Sequence, residues 1–178
     1  MTTSNSDGAQ TVVPGTVHDI LSANATDANF QIIIDLNAMA VGDIFAIVQE
    51  QKVRSVGTNR QQEIDYYAHS QENPVVSVEP TGSINEITVS IQQVQFKSTI
   101  TSMTGTVAVG DDVTGDTSTG TGTVIWMDDA GTPTEAIIRW TGVAPFQDGE
   151  QAEKDVSNYL VLNDATPAYA VPWEVYQL

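Results

Sequence analysis

Short runs of alternating apolar and polar residues, each closed by a turn-forming residue, are the feature that most constrains this chain. Residues 30–36 form a continuous β-branched run, whereas 44–54 and 87–92 alternate with a period of two. Such runs, closed by Gly, Pro, Asn or Asp at hairpin spacing, are typical of antiparallel strands. Only 37–41 is compatible with a helix, and it is too short to form one alone. The pattern therefore predicts an all-β protein with negligible helix.

Changes in composition divide the 178 residues into four parts, a length that suits one domain or two small ones. Residues 1–15 are polar and are expected to form an N-terminal arm. Residues 16–97 carry most of the alternating runs and predict a β-sandwich of jelly-roll type. Residues 98–154 are rich in Thr, Gly and Asp and predict a second, small β module, followed by a C-terminal extended segment at 155–178.

The apolar members of the runs predict the core of the first part, because side chains on one face of a strand recur every second residue. These predicted core residues are Ile32, Ile34, Phe45, Ile47, Ile87, Val89 and Ile91.

The C-terminal segment also alternates, and its prolines favour an edge position in a sheet. Two uses of this segment stay open: it closes the chain's own sandwich, or it adds to the sheet of a neighbouring subunit. The side chains that share one face are Tyr169, Val171, Trp173 and Val175.

The charge of the chain excludes several classes of partner. Six Lys and Arg stand against 23 Asp and Glu, a formal net charge of −17. Nucleic acids and anionic membranes need a basic surface, so neither is expected as a partner. Without cysteine there is neither a disulfide nor a thiolate metal site. The polar N-terminus lacks the pattern of a signal peptide, which predicts synthesis in a bacterial cytoplasm.

Residues able to support catalysis are few. The two histidines, His18 and His69, lie in different runs, and no nucleophile elbow, phosphate-binding loop or zinc-protease motif is present. Glu63 and Asp65 share a strand face, as a glycosidase pair does. In so acidic a chain this spacing arises by chance. We therefore expect a protein that is not an enzyme and has no catalytic or cofactor-binding residues.

One acidic loop is a candidate metal-binding site. Oxygen-rich loops bind Ca²⁺, and Asp111, Asp112 and Asp116 cluster in the sequence. Their spacing matches no EF-hand loop, and Asp-Gly turns between strands are ordinary hairpin chemistry. The expectation is therefore no cofactor, with Ca²⁺ at these three residues as the weaker alternative.

Half of the basic residues flank one predicted hairpin tip. They either pair locally with nearby glutamates, which contributes little stability, or contact an acidic partner such as another subunit of an assembly. Together with two aromatic residues of the C-terminal segment, they give the candidate partner-binding residues Lys52, Arg54, Arg60, Tyr169 and Trp173.

Two stretches resemble known viral proteins. Val-Gly-Asp-Asp-Val-Thr-Gly at 109–115, followed by 119–124 and closed by Phe-Gln-Asp-Gly-Glu at 146–150, resembles a small β module common in structural proteins of tailed bacteriophages. Residues 16–95, with 35–43 as a turn between strands, are similar to small virion-associated β-sandwich proteins of marine phages. The resemblance implies a virion part with no catalytic residues.

The leading functional hypothesis is a capsid decoration or cement protein on the outer surface of a phage head. Its partners would be the major capsid protein or other virion subunits, and a homo-oligomer, with a trimer favoured, is expected. One alternative is another virion part, such as a head–tail joining, tail or fibre protein. Another is a receptor- or glycan-binding module with Trp126, Trp140 or Trp173 as a platform, although the strand pattern favours core packing for each tryptophan.

Overall fold

The computed structural model describes residues 4–13, 15–22, 30–52, 60–68, 75–78, 86–142, 144–164 and 169–177, and within these ranges it contains β-strands and no helix. The prediction of an all-β protein is confirmed. The strands are β1 (Ser4–Val12), β2 (Val17–Ser22), β3 (Phe30–Asp35), β4 (Ile44–Lys52), β5 (Arg60–Ala68), β6 (Val75–Val78), β7 (Glu86–Thr104), β8 (Asp112–Gly115), β9 (Thr121–Met127), β10 (Glu135–Trp140), β11 (Gln151–Asp155), β12 (Asn158–Asn163) and β13 (Tyr169–Gln177).

The strands form two antiparallel sheets. The four-stranded sheet has the order β1-β13-β3-β6. The larger sheet has the order β10-β9-β8-β11-β12-β7-β4-β5, with β2 also paired to β7 and with β10 closing back onto β7. We name two regions from this pattern. The two-sheet unit comprises the four-stranded sheet with β2, β4, β5 and the first half of β7, and the barrel comprises the second half of β7 with β8 to β12.

The core of the two-sheet unit contains every residue predicted for it. Each of those side chains is at most 3% exposed, and all belong to one buried cluster. Both sheets contribute, since Val12, Val171 and Val175 of the four-stranded sheet join the same cluster. The two sheets therefore face each other across a shared apolar core.

The two terminal segments pair with each other, which the sequence did not indicate. The segment expected to be an arm contains β1, which pairs along β13, and β13 lies between β1 and β3. The edge position predicted for the C-terminal segment is therefore wrong. Pro172 is tolerated at this position because the hydrogen-bonded ladder between β13 and β3 begins at Trp173, just after it. The ladder therefore loses no N–H donor.

Strand β7 joins the two regions. Its first half pairs with β2 and β4, and its second half pairs with β10 and β12. Successive β4 residues face Gln93 and Gln95, so β7 carries a bulge at Val94. Core positions are accordingly odd-numbered up to Ile91 and even-numbered from Phe96, because one extra residue shifts the alternation. The composition change near residue 97 thus falls inside one strand rather than in a linker.

The barrel closes through six strands in the order β7-β10-β9-β8-β11-β12 and back to β7. It extends to Asn163, beyond the boundary at 154 expected from the sequence. Phe96 and Phe146 meet at its centre with their ring centroids 5.9 Å apart. The buried cluster is Phe96, Ile100, Val107, Val113, Val124, Ala136, Ile138, Phe146, Ala152, Leu160 and Leu162.

Three four-residue turns share one design. They span 40–43 and 108–111, both Ala-Val-Gly-Asp, and 147–150, Gln-Asp-Gly-Glu. In each, the acid side chain accepts the N–H of the first residue at 2.6–2.9 Å. The glycine has a positive φ of 81–99°, which favours glycine at the third turn position. These turns lead directly into β4, β8 and β11.

Candidate interface surfaces

The basic hairpin predicted from the sequence is only partly described. Lys52 ends β4 and Arg60 begins β5, and the two strands pair antiparallel. Arg54 lies outside the described residues, as do the side chains of Lys52, Arg60 and Tyr169.

Trp173 is described, and it packs on its own subunit. It lies on β13 opposite Gly8 of β1 and Ile34 of β3. Its half-buried indole packs against the core of the two-sheet unit. A Cβ atom at position 8 would lie 3.0 Å from the indole, so the glycine allows this close approach. Of the two uses considered for the C-terminal segment, this geometry supports closing the chain's own fold.

The three aspartates considered for calcium make separate contacts around β8. A hydrogen bond from the backbone N–H of Ala108, followed by the ion pair with Lys154, lowers the pKa of Asp111. Within the described ranges no group of three or more His, Cys, Asp or Glu is arranged to hold a metal ion. The contacts are Asp111 with Lys154 Nζ (3.0 Å), Asp112 with Thr123 Oγ1 (2.6 Å) and Asp116 with the N–H of Gln151 (3.1 Å).

His18, one of the residues considered for catalysis, has a local role at the corner between β1 and β2. Its Nε2 accepts the N–H of Val13 at 3.2 Å, and its Nδ1 lies 3.1 Å from the side-chain nitrogen of Gln10. Burial lowers its pKa. His69 and the side chain of Glu63 lie outside the described residues.

A groove of about 470 Å³ lies on the outer face where the two-sheet unit meets the barrel. Tyr66 is 62% exposed there. Arg139 is exposed, and no ion pair of Arg139 is found in the part of the chain that the structure describes. We refer to this surface as the junction groove, and its lining residues are Ile44, Tyr66, Val94, Gln95, Arg139 and Trp140.

Local sequence explains how the junction groove is built. Residues 44–48 are apolar without interruption, so β4 has apolar side chains on its outer face as well as its inner one. Gln95 donates its side-chain N–H to the carbonyl of Gly42 at 2.9 Å. The indole N–H of Trp140 is donated to the carbonyl of Ala144 at 2.9 Å, and Gly15 packs against the ring. The walls of the groove are therefore held by hydrogen bonds and close packing.

A second groove, of about 410 Å³, lies on the outer face of the four-stranded sheet. Asp7 of β1 stands directly opposite Glu174 of β13, an arrangement that places like charges on adjacent strands and is unfavourable. The hydroxyl of Tyr176 donates to Glu174, which raises the pKa of Tyr176. We refer to this surface as the carboxylate groove, and its lining includes Asp7, Asp35, Glu174, Ile33, Val75 and Pro172.

The two grooves lie on opposite sides of the two-sheet unit. Ile33 and Asp35 alternate with the buried Ile32 and Ile34 along β3, so they point away from the core. Ile44 precedes the buried Phe45 on β4 and points away from the core on the other sheet. Because the two inner faces share one core, the grooves open in opposite directions.

Sequence reasoning missed the junction groove and Arg139. The available signal is the apolar run at 44–48, which departs from simple alternation and indicates a strand covered on both faces. The position of Arg139 beside Tyr66 depends on β10 closing onto β7, a pairing between distant parts of the chain.

The tryptophans do not share one environment. Trp140 is half-buried against the barrel core, as expected. Trp126, on β9, is 41% exposed, so the expectation of core packing is wrong for this residue. Successive β10 residues face Trp126 and Val124, so β9 carries a bulge at Ile125. The bulge shifts the alternation and turns Trp126 outward, although Val124 points into the barrel.

Searches of family models, curated proteins and solved structures gave no match to this chain. No helix long and apolar enough to cross a membrane is found among the described residues.

Proposed function

We propose that this protein is a non-enzymatic structural subunit of a virus particle and acts as a capsid decoration or cement protein on the outer surface of a phage head. The proposal joins the phage resemblance of the sequence to the arrangement of the strands and to the two outer grooves.

The observation that carries the proposal is the strand order of the two-sheet unit. With the first half of β7 counted as its seventh strand and β13 as its eighth, the two sheets have the orders 1-8-3-6 and 2-7-4-5. We interpret this order as a jelly roll, an architecture used by viral capsid proteins, lectins and cupins. In this interpretation the barrel is an insertion between the seventh and eighth strands.

The junction groove supports an assembly role over a catalytic one. Its side chains are apolar or aromatic apart from Gln95 and Arg139, and its described lining offers neither a carboxylate nor a histidine for acid–base chemistry. An exposed apolar patch with an arginine and aromatic residues has the composition of a protein interface.

A second candidate function is favoured by Tyr66. A tyrosine that is 62% exposed beside Trp140 and Arg139 could stack on a sugar ring, as in a receptor- or glycan-binding module. Some lectins are jelly rolls, so the architecture is also compatible with glycan binding. A tail, fibre or head–tail joining protein is the other alternative, since it would use the same kind of assembly surface.

Binding to particles tests the proposal. Heads of the phage that encodes the chain, prepared without this protein, would be incubated with purified protein and imaged by electron cryomicroscopy. We expect saturable density across the shell, displaced when unlabelled protein competes with a labelled copy. Density at a single vertex would replace the decoration proposal with a head–tail or tail role. No density, together with glycan binding that Tyr66→Ala abolishes, would establish the receptor-binding alternative.

A further inference from the structure

The junction groove has the properties of a surface that is covered in the assembled state. Tyr66 is largely exposed and Ile44 and Val94 are half-buried, so apolar area on three strands stays in contact with water. Covering such area is favourable by about 25 cal/mol per Å². Arg139 lies at the same place without an ion pair among the described residues. An occupant that is both apolar and acidic would complement this surface.

The carboxylate groove has the complementary properties. Asp7, Asp35 and Glu174 bring three carboxylates to one depression, and its described lining contains no cation. The direct opposition of Asp7 and Glu174 is a repulsive contact that a cation from outside would relieve. Ile33 and Val75 stand beside the acids, with Val75 51% exposed.

We infer that copies of this chain associate head to tail, with the carboxylate groove of one copy covering the junction groove of the next. Arg139 of the first copy enters among Asp7 and Glu174 of the second. Tyr66 and Ile44 of the first cover the apolar side chains beside those acids. Charge complementarity is what selects a second copy as the occupant.

The placement of the two grooves determines the kind of assembly. They open on opposite sides of the two-sheet unit, so each copy offers both halves of the contact and the interface is heterologous. Such contacts close into a ring when the rotation between copies is suitable. The idea that such a ring sits on a phage shell rests on the proposed function. The contact between two copies does not depend on that function.

The size of the contact predicts its strength. Four strands about 4.8 Å apart, each about six residues long at 3.3 Å per residue, give an outer face of roughly 400 Å². A standard interface buries about 800 Å² per partner, so the contact alone should be weak, with a Kd roughly between 10 µM and 1 mM. Copies held side by side on a particle would gain from their high effective concentration.

Sedimentation equilibrium with charge-reversed variants tests the contact. Arg139→Glu should weaken self-association about tenfold or more. Lys154→Glu is the matched control, because it changes the net charge equally but lies on β11, outside the lining of the junction groove, where Lys154 pairs with Asp111. It should change the association by less than about twofold. Salt of about 0.15 M screens the general repulsion between acidic chains and leaves close pairs intact.

A compensating change makes the test specific. Asp7→Lys in the Arg139→Glu background restores the native net charge and reverses the proposed pair. It should recover association to within about threefold of native, as a coupled pair requires. Circular dichroism and melting curves would verify that each variant is folded.

Native protein that stays monomeric up to about 1 mM would overturn the inference, and so would equal effects of Arg139→Glu and Lys154→Glu. The same variants on phage heads separate the two proposals. Native protein that decorates shells without self-associating leaves the decoration proposal standing and removes this contact. Protein that self-associates but does not decorate shells would support this contact and remove the decoration proposal.

Discussion

The loops of the barrel and the outer face of the four-stranded sheet use acidic side chains in different ways. In the barrel, Asp128 accepts four hydrogen bonds and Glu150 accepts three, so these carboxylates organise the loops around them. In the two-sheet unit, Asp7 has no hydrogen bond among the described residues, and Glu174 is bonded only to Tyr176 of its own strand. Asp128 and Glu150 are therefore occupied within the fold, whereas Asp7 and Glu174 are exposed on the outer sheet face, where a partner can reach them.

Strand edges repeat this contrast. Every barrel strand has a neighbour on both sides because the sheet closes on itself. Among the described strands, β2 and β5 are edges of the larger sheet, and β1 and β6 are edges of the smaller one. Open edges and the acids of the carboxylate groove mark surface of the two-sheet unit that a partner can complete.

The largest expected effect tests whether the two regions are energetically separate. Phe146→Ala, in the barrel core, should lower the free energy of unfolding by about 3–5 kcal/mol, and Ile34→Ala, in the other core, by about 2–5 kcal/mol. Because β7 belongs to both cores, each variant should shift one common calorimetric transition. Val156→Ala, at a side chain that is 83% exposed, should change little. Two transitions, each moved by only one variant, would show that the regions unfold independently.

A smaller effect is expected at the junction between the cores. Gln93 is fully buried and neither atom of its amide has a partner among the described residues, whereas Gln95 donates to Gly42. Gln93→Met should raise the free energy of unfolding by about 1–2 kcal/mol, and Gln95→Met should lower it by about 1 kcal/mol, because only the second change breaks a bond. Urea unfolding measures both. Destabilisation by Gln93→Met would mean that an internal water or another polar group satisfies this amide.

Acid should weaken the barrel at a defined place. Hydrogen bonds from Thr134 and from the N–H of Glu135 lower the pKa of Asp128 to about 2. A carboxyl with a depressed pKa stabilises the fold above its ordinary pKa and loses that contribution as the pH falls through the folded value. The difference in melting temperature between native protein and Asp128→Asn should therefore shrink as the pH falls from about 4 to about 2. A constant difference over that range would contradict the assignment.

The smallest effect on stability is expected at the basic hairpin. Replacing Lys52, Arg54 and Arg60 together by alanine should change the free energy of unfolding by less than about 1 kcal/mol, because exposed ion pairs contribute little. If the hairpin takes part in attachment, occupancy on heads should fall, most clearly at low salt, where the native contact is least screened. Equal decoration by native and triple-substituted protein at low salt would remove the hairpin from the interface.

Local pattern was sufficient for much of the fold. Burial of Ile34 followed from a continuous β-branched run and that of Val89 from period-two alternation, and the turns at 40–43 and 147–150 followed from their Gly-acid pairs. Both depend on residues close together in the chain, so a single sequence contains the information. The candidate surfaces are different. Arg139 and Tyr66 become neighbours only through pairings of β7 with β10 and β4, and no local pattern encodes such pairings.

Two errors have the same physical origin. The polar segment at 4–12 was expected to be an arm because it has few apolar side chains, yet its backbone pairs along β13. Strand formation there depends on hydrogen bonding to a partner at the other end of the chain rather than on its own propensity. The boundary near residue 97 was misplaced because β7 continues through it, with one bulge in place of a linker.

The position of β13 also bears on how the protein forms during synthesis. Translation delivers all the barrel strands before β13, which fills the gap between β1 and β3. The barrel can therefore close while the four-stranded sheet still lacks its second strand, so that β1 and β3 have unpaired edges and the core lacks Val171 and Val175. Unfinished sheets with exposed apolar faces are prone to aggregate. A chain truncated shortly before residue 169 should thus present a closed barrel beside an incomplete partner, a state that invites protection by chaperones.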